Sequence, residues 1–145
     1  MRRAALLLLP ALGLVALTGT AEAKYRQRVF VTPSKTTICM IAVDRSGKQR
    51  PWVRCDVMDA TNAPPAKPKS CEFDYGFSFG VRSTGRAYRN CVSDAIADPD
   101  KTKTLPYGSS ASLGGITCTA KRTGLRCVNR SGHGFRLRRD SQVLF

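Results

Sequence analysis

The chain has 145 residues and a formal net charge of +14 at pH 7, from 24 Lys and Arg against 10 Asp and Glu. Its length excludes a multidomain protein, because one domain usually takes about 100–200 residues. The positive charge keeps a protein soluble and attracts anionic partners such as nucleic acid, anionic lipid or acidic wall polymers. The alternative is that the charge reflects only an arginine-rich composition and a solvated surface.

The N-terminus is typical of a secretory signal peptide. Arg2 and Arg3 precede a short apolar run, which ends in the Ala-x-Ala pattern of residues 21–23. The run is shorter than the roughly 20 residues of a membrane-spanning helix, so we predict no membrane span. Cleavage near Ala23 removes two arginines and one glutamate, which leaves a secreted single domain of residues 24–145 with a charge of +13.

Six cysteines, all in the predicted mature chain, indicate a disulfide framework. An even number of cysteines in a small exported domain is typical of paired thiols. There is no Cys-x-x-Cys pair and only one histidine, so the sequence predicts no metal site and no cofactor. The six residues are Cys39, Cys55, Cys71, Cys91, Cys118 and Cys127.

Residues 37–43 and 52–57 predict the two strands of a hairpin. Both segments are rich in β-branched and apolar residues, and a polar loop centred on Gly47 separates them. If Cys39 lies opposite Cys55, the apolar side chains share one face, and a slip of one residue destroys that agreement. We therefore predict a Cys39–Cys55 disulfide across this hairpin.

Residues 116–120 and 125–129 predict a second hairpin of the same kind. Gly124 supplies the positive φ that a short turn between them requires. Placing Cys118 opposite Cys127 again collects the apolar residues on one face, which predicts a second cross-strand disulfide. The Arg-Cys order in both hairpins is a degenerate repeat and hints at duplication.

By elimination, Cys71 pairs with Cys91. Between them aromatic residues alternate with polar or small ones, which predicts a strand with one aromatic face. We assign that face to the core, and the alternative is a stacking platform for sugars or bases. The alternating residues are Phe73, Tyr75, Phe77, Phe79 and Val81.

These segments together predict an all-β fold, a small disulfide-stabilised domain of antiparallel hairpins. We expect about seven to nine short strands, arranged as an open sheet or in a barrel-like form. The C-terminal residues 143–145 are all large and apolar, which predicts that this end docks into the sheet.

The order of short motifs resembles a family of small secreted bacterial proteins with six cysteines, mostly actinobacterial, that is classified only as a domain of unknown function. The resemblance covers nearly the whole mature chain and implies one secreted domain, but no activity. The matching motifs include Thr32-Pro33-Ser34, Val53-Arg54-Cys55-Asp56-Val57, Asp74-Tyr75-Gly76, Leu105-Pro106-Tyr107-Gly108 and Gly132-His133-Gly134-Phe135.

His133 is the natural candidate for a catalytic base, because a histidine pKa lies near neutral pH. The sequence has no G-x-S-x-G elbow, and its cysteines are assigned to disulfides, so we predict no catalytic residue. The glycines on both sides favour a turn or a close backbone approach. We interpret His133 as structural, with a binding contact or the base of a small secreted hydrolase as the alternatives.

The sequence favours a non-enzymatic extracellular or cell-envelope binding module. Its predicted anion-binding residues are Arg136, Arg138 and Arg139, and its partner is an anionic cell-envelope polymer or a secreted protein. No helix-turn-helix, RNP-like motif or zinc finger is present, so we predict no sequence-specific nucleic-acid binding. We expect a monomer. The alternatives are the hydrolase and an inhibitor of a secreted enzyme that presents the loop of residues 44–50.

Overall fold

The computed structural model describes residues 22–145, and these residues form ten β-strands and no helix. The all-β prediction is confirmed. None of the described residues belongs to a helix long and apolar enough to cross a bilayer. Residues 1–21 of the predicted signal peptide lie outside this part of the chain.

Two five-stranded antiparallel sheets make up the fold, and in each sheet consecutive strands lie side by side. Both sheets are open, so the barrel-like alternative is not the one adopted. The first sheet contains β1 (Tyr25–Val31), β2 (Thr37–Asp44), β3 (Trp52–Val57), β4 (Tyr75–Arg82) and β5 (Tyr88–Cys91). The second contains β6 (Ser110–Leu113), β7 (Ile116–Lys121), β8 (Gly124–Val128), β9 (Gly134–Leu137) and β10 (Gln142–Leu144).

Both predicted hairpins have the predicted register. Cys39 lies opposite Cys55 and is bonded to it, with Cα atoms 4.1 Å apart. Cys118 lies opposite Cys127 in the same way, with Cα atoms 4.0 Å apart. Such short spacings are typical of non-hydrogen-bonded positions in an antiparallel pair. The third disulfide joins Cys71 to Cys91, also as predicted.

The similarity between the two hairpins extends to the whole sheets. In the first sheet Cys55 lies opposite Phe79 on the next strand, and in the second Cys127 lies opposite Phe135. The preceding strands agree too, because Cys39 faces Phe30 where Cys118 faces Ala111. Each sheet therefore repeats one set of registered pairs, in the order β1–β5 and again in the order β6–β10.

The core lies between the two sheets, which meet through these equivalent residues. The sulfur of Cys55 is 3.8 Å from the sulfur of Cys127, so the two cross-strand disulfides touch. The rings of Phe79 and Phe135 lie beside them with centroids 6.1 Å apart. Other fully buried core residues are Ile41, Val53, Val81, Ile116, Leu125 and Leu137.

Two details differ from the sequence-based expectations. Strand β6 was not predicted, so the described residues hold ten strands rather than seven to nine. The aromatic strand begins at Tyr75, and Phe73 precedes it with 55% of its surface exposed. Phe79 and Val81 are in the core and Phe77 packs partly against it, which agrees with the core assignment for that part of the row.

The central disulfides should contribute more to stability than the peripheral one. Cys39–Cys55 and Cys71–Cys91 close loops of similar length, with separations of 16 and 20 residues, and either bond is worth about 3 kcal/mol through chain entropy. Removing Cys39–Cys55 also leaves a void beside Cys127, because both its cysteines are completely buried. We expect the C39A/C55A protein to lose about 1 kcal/mol more unfolding free energy than C71A/C91A in chemical denaturation. Equal losses would show that the contact between the disulfides contributes nothing.

Candidate anion-binding site

The structure separates the three arginines that the sequence predicts as a site. Arg136 lies on β9 with its side chain on the solvent-facing side of the second sheet, opposite Arg126 of β8. Arg138 and Arg139 follow β9, in the turn towards β10. Arg138 and Arg139 therefore share one environment, and Arg136 lies in another.

Arg138 and Arg139 line an open cleft of about 490 Å³ where three turns meet. The turns are those between β1 and β2, between β7 and β8, and between β9 and β10. We call this the end cleft. Its lining residues carry mainly hydroxyl or basic side chains, and they include Thr32, Ser34, Thr36, Thr37, Thr61, Tyr107, Lys121, Arg122, Arg138, Arg139 and Asp140.

Positive charge dominates the end cleft. Four basic side chains line it, against the single carboxylate of Asp140, and that carboxylate is 3.0 Å from Nε of Arg138. Two of the cations are fixed by other contacts. The guanidinium of Arg122 lies over the Tyr107 ring, 5.1 Å from its centroid, and Nε of Arg139 donates a hydrogen bond of 3.0 Å to the Asp59 carbonyl.

Hydroxyl groups of the β1–β2 turn also line the end cleft. Thr32 and Ser34 share a hydrogen bond of 3.2 Å, and Ser34 and Thr36 share one of 2.8 Å. Thr32 also binds both the amide and the carbonyl of Thr37, which fixes the turn between β1 and β2. The lining of the cleft thus combines cations with hydroxyls that are ordered by hydrogen bonds, a combination suited to oxyanions.

Gly124 allows the two basic turns to come together. Its φ is +122°, and a Cβ there would lie 2.7 Å from the Leu137 carbonyl oxygen and 2.8 Å from Cγ of Arg138. Only glycine permits this approach of the β7–β8 turn to the end of β9 without a shift of the backbone. Lys121 and Arg122 therefore share the cleft with Arg138.

The sequence-based prediction of the site did not include Lys121 and Arg122. A simple signal was available, because no Asp or Glu occurs between Asp100 and Asp140. Residues 110–145, which form the second sheet, contain seven Lys or Arg and one Asp. The second sheet is thus far more basic than the average of the chain.

His133 lies in the loop between β8 and β9, beside a shallow depression of about 370 Å³ lined by Arg86, Ala87, Leu144 and Phe145. Within residues 22–145 no carboxylate lies within 4.0 Å of its imidazole. The next glycine, Gly134, approaches β8 so closely that a Cβ would overlap the Cys127 carbonyl. The close backbone approach that the flanking glycines favour is therefore present at Gly134.

Asn129 holds this loop in place. Its side-chain oxygen accepts hydrogen bonds from the amides of Ser131 and His133, both at 3.0 Å. Its side-chain nitrogen donates to the carbonyls of Arg82 and Gly85, at 2.9 and 2.7 Å. One buried amide therefore joins the β8–β9 loop of the second sheet to the β4–β5 loop of the first.

Replacing Asn129 by alanine should loosen both loops, because it leaves several backbone groups without a partner. We expect a loss of about 2–3 kcal/mol in the free energy of unfolding. Asn90→Ala is the matched control, since the Asn90 amide donates a single bond, to Ser78, and should cost about 1 kcal/mol or less. If the two variants unfold at the same denaturant concentration, Asn129 does not join the loops energetically.

The loop between β2 and β3, which the inhibitor alternative requires, is exposed from Arg45 to Arg50 and is organised by one carboxylate. Asp44 accepts hydrogen bonds from the amide and hydroxyl of Ser46 and from the amide of Gln49. The pKa of Asp44 lies below its usual range, chiefly because the Ser46 hydroxyl donates a hydrogen bond to the carboxylate. The two amides lower the pKa further, and burial acts in the opposite direction. The loop is therefore ordered by its ionised aspartate.

Because the pKa of Asp44 is lowered on folding, its carboxylate stabilises the protein above its ordinary pKa of about 3.9. That contribution is lost as the pH falls through the lowered pKa. We expect an NMR titration of the Asp44 carboxyl carbon to have its midpoint below about 3.9, and Ser46→Ala to raise that midpoint. A midpoint unchanged by Ser46→Ala would mean that the hydroxyl does not set the pKa.

The acidic residues of the long loop after β5 do not come together as a metal site. Asp94 forms an ion pair of 3.0 Å with Arg54, and Asp98 lies 3.4 Å from Lys101. Among residues 22–145, one group of potential metal-binding atoms lies together, within 4.8 Å, and it consists of Cys39, Cys55 and Cys127. Their sulfurs are all in disulfides.

Comparison with known proteins shows the family of this chain. Residues 6–145 match a family described as "Family of unknown function (DUF6636)", and the chain belongs to that family. The predicted membership of a family of unknown function is thereby confirmed. No curated protein and no solved structure matches the chain significantly.

Proposed function

We propose that this member of the family is a secreted, non-enzymatic binding module whose end cleft takes an anionic group of an extracellular or cell-envelope partner. The observation that carries the proposal is the composition of the cleft. Four cations line it with one carboxylate, and ordered Ser and Thr hydroxyls line it with them. Arg138 and Arg139, two of the three residues chosen from the sequence, are among these cations.

The chemistry of the lining supports binding rather than turnover. A guanidinium presents its donors in a planar fork that matches a carboxylate or a phosphate. Arg122 and Arg139 are already oriented by the Tyr107 ring and the Asp59 carbonyl, so less side-chain entropy is lost when an anion binds. The lining contains no histidine or cysteine, and its one carboxylate, that of Asp140, is paired with Arg138.

Secretion is supported by two independent features. Three disulfides require an oxidising compartment to form and persist. The N-terminal sequence has the order of a signal peptide, with cleavage near Ala23. The mature protein, residues 24–145, then meets anionic polymers and secreted proteins outside the cytoplasm.

The test is calorimetric titration of the oxidised mature protein with tripolyphosphate, a compact anion, over a series of salt concentrations. We expect binding that weakens with salt, and a loss of about tenfold in affinity in R122Q/R139Q. The control R26Q/K48Q removes the same charge from exposed positions of the first sheet and its adjoining loop. If the control loses as much affinity as the cleft variant, binding depends on net charge and the cleft is not a site.

A second candidate, inhibition of a secreted enzyme, is favoured by the exposed loop that Asp44 orders. A loop that is rigid before binding loses little entropy in a complex, and this loop presents Arg45, Lys48 and Arg50 to solvent. Saturable 1:1 inhibition of a secreted hydrolase that Lys48→Ala abolishes would favour this function over the first.

A further inference from the structure

We infer that the outer face of the second sheet is a binding platform for a linear acidic polysaccharide, one end of which enters the end cleft. The outer face is the solvent-facing side of β6 to β10. The inference rests on the proposed function, because it extends the cleft into a longer site. The observation that carries it is a pair of opposed, unneutralised arginines on a face that also presents four Ser and Thr hydroxyls.

The relevant side chains form one row across all five strands. On the outer face each residue of the row lies directly opposite the next, at a strand spacing of about 4.8 Å. The order of the row is Ser110, Thr119, Arg126, Arg136 and Val143.

Arg126 and Arg136 are directly opposite each other and both exposed. Like charges in this position destabilise an antiparallel pair. Neither forms an ion pair with a carboxylate side chain among residues 22–145. Arg126 is held in place by the ring of Phe145, which its guanidinium overlies at 4.9 Å from the centroid. An anion bound between the two arginines relieves the repulsion.

The first sheet supplies an internal comparison. Arg54 precedes Cys55 as Arg126 precedes Cys127, and the two cysteines occupy equivalent positions in the repeated registers. Arg54 is neutralised by Asp56 at 2.8 Å and by Asp94 at 3.0 Å. In the second sheet Val128 occupies the position of Asp56, and Arg136 lies opposite Arg126 where Gly80 lies opposite Arg54. The charge of Arg54 is thus neutralised within the chain, whereas the charge of Arg126 is available to an external anion.

Paired hydroxyl groups lie on the β6 and β7 side of the platform. Ser110 and Thr119 share a hydrogen bond of 2.7 Å across β6 and β7, and Ser112 and Thr117 share one of 2.9 Å. A hydroxyl has one donor and two acceptor positions, so each pair keeps bonding capacity directed to solvent. Two pairs of hydroxyls beside two arginines match a chain of sugars that carries both hydroxyl and carboxylate groups.

The platform continues into the end cleft, which favours a polymer over a small anion. A depression of about 440 Å³ on the outer face is lined by Lys121, Gly124, Arg126 and Arg136. Lys121 and Gly124 also line the end cleft. Because Arg126 is two residues along β8 from Gly124, the cations of the platform lie about 7 Å beyond the rim of the cleft. A linear polyanion spans both places, and a compact anion occupies one.

Nucleic acid fits this surface less well. Single strands gain affinity by stacking bases on aromatic side chains. The two exposed aromatic rings near the platform and cleft, those of Phe145 and Tyr107, already carry Arg126 and Arg122 over one face. The surface therefore offers charge and hydroxyls rather than stacking positions.

The experiment measures binding of the oxidised mature protein to polygalacturonate, with neutral dextran and single-stranded poly-dT as comparison polymers. Three variants are compared with the parent protein: R126Q/R136Q for the platform, R122Q/R139Q for the cleft and R26Q/K48Q as the charge-matched control. Melting curves establish that each variant is folded. Tripolyphosphate titrations of the same four proteins measure binding of a compact anion, which the proposed function assigns to the cleft.

We expect R126Q/R136Q to lose about tenfold or more in affinity for polygalacturonate and to keep its affinity for tripolyphosphate within about twofold. R122Q/R139Q should weaken both ligands, and dextran should not bind. If R126Q/R136Q binds polygalacturonate like the control, the platform is wrong while the cleft proposal stands. If poly-dT binds as tightly and with the same dependence on Arg126 and Arg136, the ligand class is wrong. If the parent protein binds neither polygalacturonate nor tripolyphosphate, both proposals are wrong.

Discussion

The contact between two cross-strand disulfides is the constraint on which the rest of this structure depends. Each bond fixes the register of its own hairpin, because a slip of one residue moves every side chain to the other face. Since the sulfurs of Cys55 and Cys127 meet 3.8 Å apart, the bonds also fix which faces of the two sheets form the core. Every position on the faces turned away from the core is then determined, including those of Arg54 and Arg126.

The sequence was sufficient to predict what depends on local alternation. The registers of both hairpins follow because burial is most favourable when the apolar residues share one face with Cys39 or Cys118. The structure confirms both registers. Strand β6 was not predicted, because the segment Ser-Ala-Ser-Leu has weak strand propensity. It becomes a strand by pairing with β7. Its assignment needs a partner that the local pattern does not reveal.

The candidate site was predictable only in part, for a different reason. The end cleft is built from three turns that are far apart in the chain, around residues 32–37, 121–124 and 138–140. A run such as Arg136 to Arg139 looks continuous in sequence, but a strand points alternate side chains to opposite faces and a turn redirects the next ones. Adjacency in the sequence therefore identified the basic region and did not identify which arginines act together.

The uneven charge of the two sheets connects stability to function. Self-repulsion of like charges opposes folding, and the second sheet has seven basic residues against one acidic residue in 110–145. A disulfide stabilises a fold without requiring charge neutralisation, because it restricts the unfolded chain. The Cys118–Cys127 bond lies on the core side of the second sheet, and the next pair along the same two strands is Thr119 and Arg126. Arg126 in turn lies opposite Arg136. The central disulfides thus allow this face to remain unneutralised, and an unneutralised face is what an external anion requires.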